Sequence, residues 1–316
     1  MLAPTLAPAA RLLDTGPCGG QDEASGCYRD RAVRHQEVLD VSRSRAQRLP
    51  LAYRAVAFLL RPLLLLVTRR DWRGVESLPA QGGCVVSPNH VSYADPLVFA
   101  HFLYDSGRPP YFLAKDSLFR IPLVGVILKR AGQIPVYRNT AGAAGAYRAA
   151  VAAVGAGKAV AIFPEGTITR DPDLWPMRGK TGAARVALET QCPLIPVAQW
   201  GAQDILEPYG RRLRLLPRKT IRMSAGPAVD LSDLYGLPID ARVLRIATDR
   251  LMDRITAQLA ELRGEPAPPE RFDPSARGGI EAAGVADPGE IPDVGEIPDV
   301  GELAEPTSPD AEDERP

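Results

Sequence analysis

Between residues 45 and 263, short apolar runs rich in β-branched residues alternate with stretches of helical spacing, the pattern of a chain that builds an α/β fold. The runs predict strands over Gly83–Ser87, Tyr111–Ala114, Gln133–Tyr137, Ala159–Phe163, Leu194–Ala198 and Thr220–Ser224. Helical spacing covers Tyr93–Tyr104, the Ala-rich Ala141–Val154 ahead of Gly155, and Ala241–Leu262. In the last of these, Leu244, Leu251, Ile255, Leu259 and Leu262 share a face, and Gly264 follows where helices commonly close. The expected fold is a single α/β domain with a central, mostly parallel or mixed sheet flanked by helices.

One apolar stretch has a different character. Leu51–Val67 (LAYRAVAFLLRPLLLLV) is interrupted by Arg54, Arg61 and Pro62 and is followed by Arg69, Arg70 and Arg73. It falls short of the ~20 apolar residues that a spanning helix needs. An N-terminal helix lying in a membrane interface is expected, with a first core helix as the alternative. Residues 1–44 read as a poorly ordered extension without a continuous apolar core, so no secretory signal is expected. VSRSRAQRLP, from Val41, resembles a start-proximal basic stretch, which makes Val41 the expected start; a peptide from residues 1–40 in native material would contradict that. Residues 45–264 form the expected folded domain. Residues 265–316 are acidic and Pro-rich, carry GEIPDV twice in tandem at 289–300, and are expected to be disordered.

Charge sharpens this division. The 38 basic and 38 acidic residues cancel overall, but residues 266–316 hold 14 acidic against 3 basic, and residues 41–265 carry a net charge of +13. A basic body suits nucleic acid, an anionic membrane or a phosphorylated substrate. No nucleic-acid-binding module or aromatic platform accompanies it, which leaves the membrane and phosphate readings. The four cysteines form no CxxC pair and no metal-ligand spacing. Cys84 and Cys192 read as core thiols, and a reducing compartment is expected. No metal and no cofactor are expected.

Candidate chemistry gathers where strands end. Asn89-His90-Val91-Ser92-Tyr93-Ala94-Asp95 follows the run CVVSP, so its side chains belong at the carboxyl edge of the sheet, where α/β folds place ligands. His90 can take a proton from a hydroxyl that attacks a carbonyl. A carboxylate five residues on can turn back and hold the imidazole N–H. Helix caps and satisfied core histidines also generate HxxxxD, and Asp95 before Pro96 also suits a turn. The loop Phe163-Pro164-Glu165-Gly166-Thr167-Ile168-Thr169-Arg170 again follows an apolar strand; Gly166 permits unusual backbone angles, and Thr167 and Arg170 can donate to an anion. In Gly132–Arg138 (GQIPVYR), Arg138 at a strand end suits a bidentate grip on phosphate. Gly179-Lys180-Thr181 imitates the end of a P-loop, but Leu174 stands where a glycine is required. No G-x-S-x-G is present, which disfavours a serine esterase, and His35 and His101 have no evident partners.

NHVSYAD, GQIPVYR, FPEGT and PLIPV, in that order, resemble the blocks of the glycerolipid acyltransferase family that includes 1-acylglycerol-3-phosphate acyltransferases; the resemblance spans roughly residues 50–230. It implies a one-domain α/β fold and an acyl-CoA or acyl-carrier-protein donor, with no cofactor. It makes His90 the base and Asp95 its partner. Asn89, Ser92, Arg138, Glu165, Gly166, Thr167, Arg170, Arg178 and Lys180 become the substrate-binding candidates, Glu165 as the residue that orients Arg138 or the loop backbone. The family's third block commonly has Arg directly after Gly-Thr. Here Ile168 and Thr169 intervene, with Arg178 and Lys180 downstream to share the anion. Val91 stands where phosphatidate-forming members often have Gln. The implied reaction is formation of phosphatidic acid from a lysophospholipid at the cytoplasmic face of the cell membrane, by a peripheral or monotopic protein on an anionic surface. The alternatives are another acceptor (lysophospholipid, glycerol-3-phosphate or glycolipid), a thioester hydrolase, or a non-catalytic membrane-binding homologue.

Overall fold

The structure, a computed structural model, describes residues 51–136 and 140–274. The expected N-terminal extension, Val41, Cys18, Cys27, His35, Tyr137, Arg138 and both GEIPDV copies lie outside the described residues.

A seven-stranded sheet runs in the order β1-β7-β6-β2-β5-β3-β4. Its strands are β1 (Thr68–Arg73), β2 (Cys84–Pro88), β3 (Pro110–Lys115), β4 (Ile134–Val136), β5 (Ala159–Ala161), β6 (Leu194–Trp200) and β7 (Lys219–Ala225). β2 through β6 are mutually parallel, whereas β7 lies antiparallel to β6 and β1 parallel to β7. Around them stand α1 (Leu51–Val67), α2 (Asp95–Asp105), α3 (Asp116–Arg120), α4 (Val124–Arg130), α5 (Thr140–Gly155), α6 (Gly182–Thr190) and α7 (Ala241–Arg263). Six of the strands answer the apolar runs. β1 does not, because TRRDWR is an edge strand that carries exposed Arg69, Arg70 and Arg73.

The central strands are apolar at successive positions because both faces of the sheet are covered. Val85, Val160 and Leu194 pack with α5, α6 and α7 on one side. Cys84, Val86, Ala161, Ile195 and Val197 pack with Phe99 and Phe102 of α2 on the other. Cys84 and Cys192 are buried free thiols. α7 begins where the Asp240 carboxylate accepts from the Val243 N–H at 2.8 Å, and it ends on Gly264 at φ 69°. Beyond Gly264 the chain continues onto the domain: Arg271 pairs with Asp249 and Asp253 of α7, and the Phe272 carbonyl accepts from the Arg178 N–H. Gly179 serves packing rather than phosphate, since a Cβ there would meet Met252 Cγ at 2.9 Å.

α1 carries apolar side chains on its inner and its outer face, with Arg54 and Arg61 exposed among them. Tyr53, Val56, Leu60 and Leu64 turn inward at helical spacing, while Leu51, Phe58, Leu59, Leu63 and Leu66 are exposed. Among the described residues no helix is long and apolar enough to cross a membrane. Arg70, read as a flank of an interfacial segment, lies in β1 and pairs with Asp105 of α2 at 2.7 Å, beside Arg61 at 2.8 Å. His101 does have a partner after all: its Nε2 stands 3.5 Å from the same carboxylate, and its ring meets Trp72 edge-on.

Candidate active site

β2 delivers its carboxyl end to a six-residue loop that reverses into α2. Asp95 opens that helix with Pro96 behind it, a residue that needs no N–H partner in the first turn. The Asp95 side chain folds back into the loop, fully buried. Its Oδ2 accepts from the Val91 N–H at 2.6 Å and the Ser92 N–H at 2.8 Å, and faces His90 Nδ1 at 2.8 Å. Because Oδ2 already accepts from these two backbone N–H groups, Nδ1 is placed to donate to the same oxygen, and in the neutral ring Nε2 then carries the lone pair. The imidazole packs against Phe163, with ring centroids 4.4 Å apart.

The Phe163–Arg170 loop lies against this one. Gly166 sits at φ 72°, in the left-handed region that a side chain would strain, and its N–H closes a turn onto the Phe163 carbonyl. That turn presents Glu165 to the interior, where Oε1 accepts from the His90 N–H at 2.8 Å and Oε2 from the Met177 N–H at 3.1 Å. Burial pushes this carboxyl up to about 8, against the pull of those two N–H groups. The Thr169 N–H in turn donates to the His90 carbonyl. Glu165 thus holds loop backbone, one of the two roles considered for it.

The other candidates divide sharply. The Asn89 side chain is fully buried and spent on β6. Its Oδ1 accepts from the Gln199 N–H and its Nδ2 donates to the Gln199 carbonyl, while Gln199 Nε2 donates back to the Asn89 carbonyl at 2.6 Å. Ser92 is equally committed, donating to the Leu206 carbonyl at 2.6 Å. Neither presents a polar atom to a substrate, a correction to their reading as substrate-binding residues; both position the His90 loop. Arg170 is exposed and lies outside the cavity wall. Arg178 pairs with Asp273 at 2.8 Å, and the Lys180 N–H donates to the Pro164 carbonyl. Thr167 differs from these: it is buried, it lines the cavity, and its hydroxyl has no hydrogen-bond partner among the described residues.

That cavity measures about 670 Å³, within the usual range for ligand sites. His90 and Thr167 bring polar side chains to it beside Phe163, Gly166 and Ile168, and α1, α2, β3 and α4 supply an apolar wall that includes Leu60, Leu64, Leu97, Phe112 and Leu128. Reading the sequence missed this wall; the inward spacing of Tyr53, Val56, Leu60 and Leu64 was the available signal. Nothing local marked Gln199, because it reaches Asn89 across 110 residues. Among the described residues no cluster of His, Cys, Asp or Glu is arranged to hold a metal ion.

Fold and site define an α/β protein with a His–Asp pair at the carboxyl edge of its sheet, opening into an apolar cavity. Residues 69–200 match the family described as Acyltransferase. A 1-acyl-sn-glycerol-3-phosphate acyltransferase of Borreliella burgdorferi is 34% identical over 132 residues, 42% of this chain and 51% of that protein. A chloroplastic 1-acyl-sn-glycerol-3-phosphate acyltransferase of Brassica napus is 30% identical over 140 residues, 44% of this chain and 39% of its own length. The chain therefore spans about half, or less, of the curated relatives it matches. The crystal structure of the 1-acyl-sn-glycerophosphate acyltransferase PlsC from Thermotoga maritima shares the fold, with a TM-score of 0.51 and 21% identity over 68% of this chain and 81% of that one. Residues 69–200 are thus similar to acyltransferases, and the fold is that of a solved one.

Proposed function

We propose that the protein transfers a fatty acyl group from a thioester, acyl-CoA or acyl-carrier protein, to the hydroxyl of 1-acylglycerol-3-phosphate, forming phosphatidic acid. The observation that carries this reading is the His90–Asp95 pair, 2.8 Å apart, with His90 on the wall of a large apolar cavity. A hydrolase of small polar substrates has no use for such a cavity, and a binding module has no use for a base. The acyl chain lies along the apolar wall with its carbonyl beside His90. Nε2 takes the proton as the acceptor oxygen attacks that carbonyl. The tetrahedral adduct collapses, and the departing thiolate recovers the proton from the imidazolium to leave as a thiol. Asp95 holds the ring's tautomer and stabilises the imidazolium. No covalent acyl-enzyme and no cofactor enter the scheme.

The protein works at the cytoplasmic membrane surface as a peripheral or monotopic protein, with the exposed face of α1 against an anionic bilayer. A different acceptor is favoured by one observation: Ile168 rather than an arginine lines the cavity after Gly166-Thr167. Labelled acyl-CoA and lysophosphatidic acid in mixed micelles test the proposal, with His90→Ala beside wild type. Loss of general-base assistance should lower kcat by ~10²–10⁴-fold without abolishing lipid binding. Equal rates in the two proteins would remove His90 from the chemistry. Product with lysophosphatidylethanolamine alone would move the acceptor.

A further inference from the structure

Between β6 and β7 the chain folds a short hairpin over residues 205–214. The Arg214 N–H donates to the Ile205 carbonyl at 2.8 Å, and Leu206 bridges to Leu213. The turn closes where the Gly210 N–H donates to the Glu207 carbonyl at 2.9 Å. Tyr209 stands in that turn at φ 56°, in the left-handed region. A Cβ crowds the backbone there, so glycine or asparagine is the usual occupant. A bulky residue persists in such a conformation where its surroundings fix it, and residues of this kind gather at functional sites.

Two active-site loops fix Tyr209. Its ring meets Tyr93 edge-on, with centroids 6.3 Å apart, and its hydroxyl donates to the Ile168 carbonyl at 2.7 Å. Tyr93 follows Ser92, whose hydroxyl donates to the Leu206 carbonyl, so the hairpin grips the His90 loop at two successive residues. The contact with Ile168 reaches further. The Ile168 carbonyl and the Thr169 N–H belong to one peptide unit, and that N–H donates to the His90 carbonyl at 2.8 Å. The peptide is therefore held at both ends, by Tyr209 on one side and by His90 on the other. Hydrogen bonds in such a chain polarise and strengthen one another. Thr167 immediately precedes this peptide, and His90, Tyr93, Thr167 and Ile168 all line the cavity, whereas Tyr209 lies outside its wall.

We propose that Tyr209 is a positioning residue for the acceptor. It fixes the Ile168–Thr169 peptide, and through it the distance between the Thr167 hydroxyl and His90, so that Thr167 meets an acceptor whose own hydroxyl faces Nε2. The inference rests on the acyl-transfer reading.

Tyr209→Phe keeps the ring and removes the hydrogen bond; Tyr209→Leu removes both contacts. Acyl transfer from acyl-CoA to lysophosphatidic acid is measured with each substrate varied in turn. We expect the acceptor KM to rise about two- to tenfold in Tyr209→Phe, the worth of one net hydrogen bond, and further in Tyr209→Leu. The donor KM should stay within twofold. Loss of folded protein alone would lower kcat and leave both KM values in place, and that result overturns positioning, as do unchanged constants. Amide exchange, read by NMR without substrate, separates this inference from the reading beneath it. The Thr169 N–H should exchange at least fivefold faster in Tyr209→Phe, with α7 unchanged. If the wild type transfers to no acceptor, the acyl-transfer reading falls and the exchange result decides alone: unaltered Thr169 exchange, or equal acceleration in α7, overturns the role of Tyr209.

Discussion

Glu165 is a carboxyl placed where no water reaches it, and its proton links the site to the stability of the domain. Unfolded, it ionises near its ordinary 4.5; folded, burial delays that to about 8. Between those values the folded chain holds one proton more than the unfolded chain, so stability falls as pH rises, by up to about 1.4 kcal/mol per pH unit, and levels off above 8. Glu165→Gln keeps acceptor capacity toward one N–H and removes the titration. Urea unfolding between pH 5 and 8 should show a slope in wild type that the variant lacks; parallel curves would mean that Glu165 is ionised in the fold. At this scale the site was partly legible in the sequence. His90 and Asp95 are neighbours along the chain, so their spacing announced their contact. Asn89 and Ser92 carry the right groups for binding, but distant partners, Gln199 and Leu206, consume them. No local pattern reports a contact across more than a hundred residues.

Two helices and an edge strand meet on Asp105, and that carboxylate fixes α1 over the cavity. Burial raises its pKa, yet hydrogen bonds from His101 and Arg61 prevail and hold it at about 2. The tether is therefore complete above the ordinary carboxylate value of 3.8 and is lost only as pH falls through about 2. Exposed ion pairs contribute little singly, but here two arginines and a histidine share one partly buried acceptor. Asp105→Ala should speed amide exchange across Leu51–Val67 at least tenfold while leaving α7 unchanged, as measured by mass spectrometry; equal protection in both helices would assign the docking of α1 to apolar packing alone. The strands at the centre of the sheet were legible because burial on both faces leaves unbroken apolar runs. β1 was not, since an edge strand is written in charges, and neither were α3 and α4, five and seven residues long.

Across the molecule, the apolar outer face of α1 continues onto Ile121, Leu123, Val124 and Val126, because α1 packs against α4. A surface of this kind on one side of a domain marks a membrane or partner contact. Phe58→Asp with Leu123→Asp should weaken binding to anionic vesicles at least tenfold with the circular dichroism spectrum intact; undiminished binding would leave attachment to the arginines alone. The order of the strands carries a last consequence, for the making of the protein. β1 pairs with β7 in register from Thr68–Lys219 to Arg73–Ser224, so the earliest of the described strands to leave the ribosome waits for the latest. At ~5–20 residues per second, that wait lasts roughly 10–30 s. Throughout it, α1 emerges ahead of the sheet that will seat it, and a newborn chain offers its greasiest helix to chaperone or bilayer before it has a fold to return to.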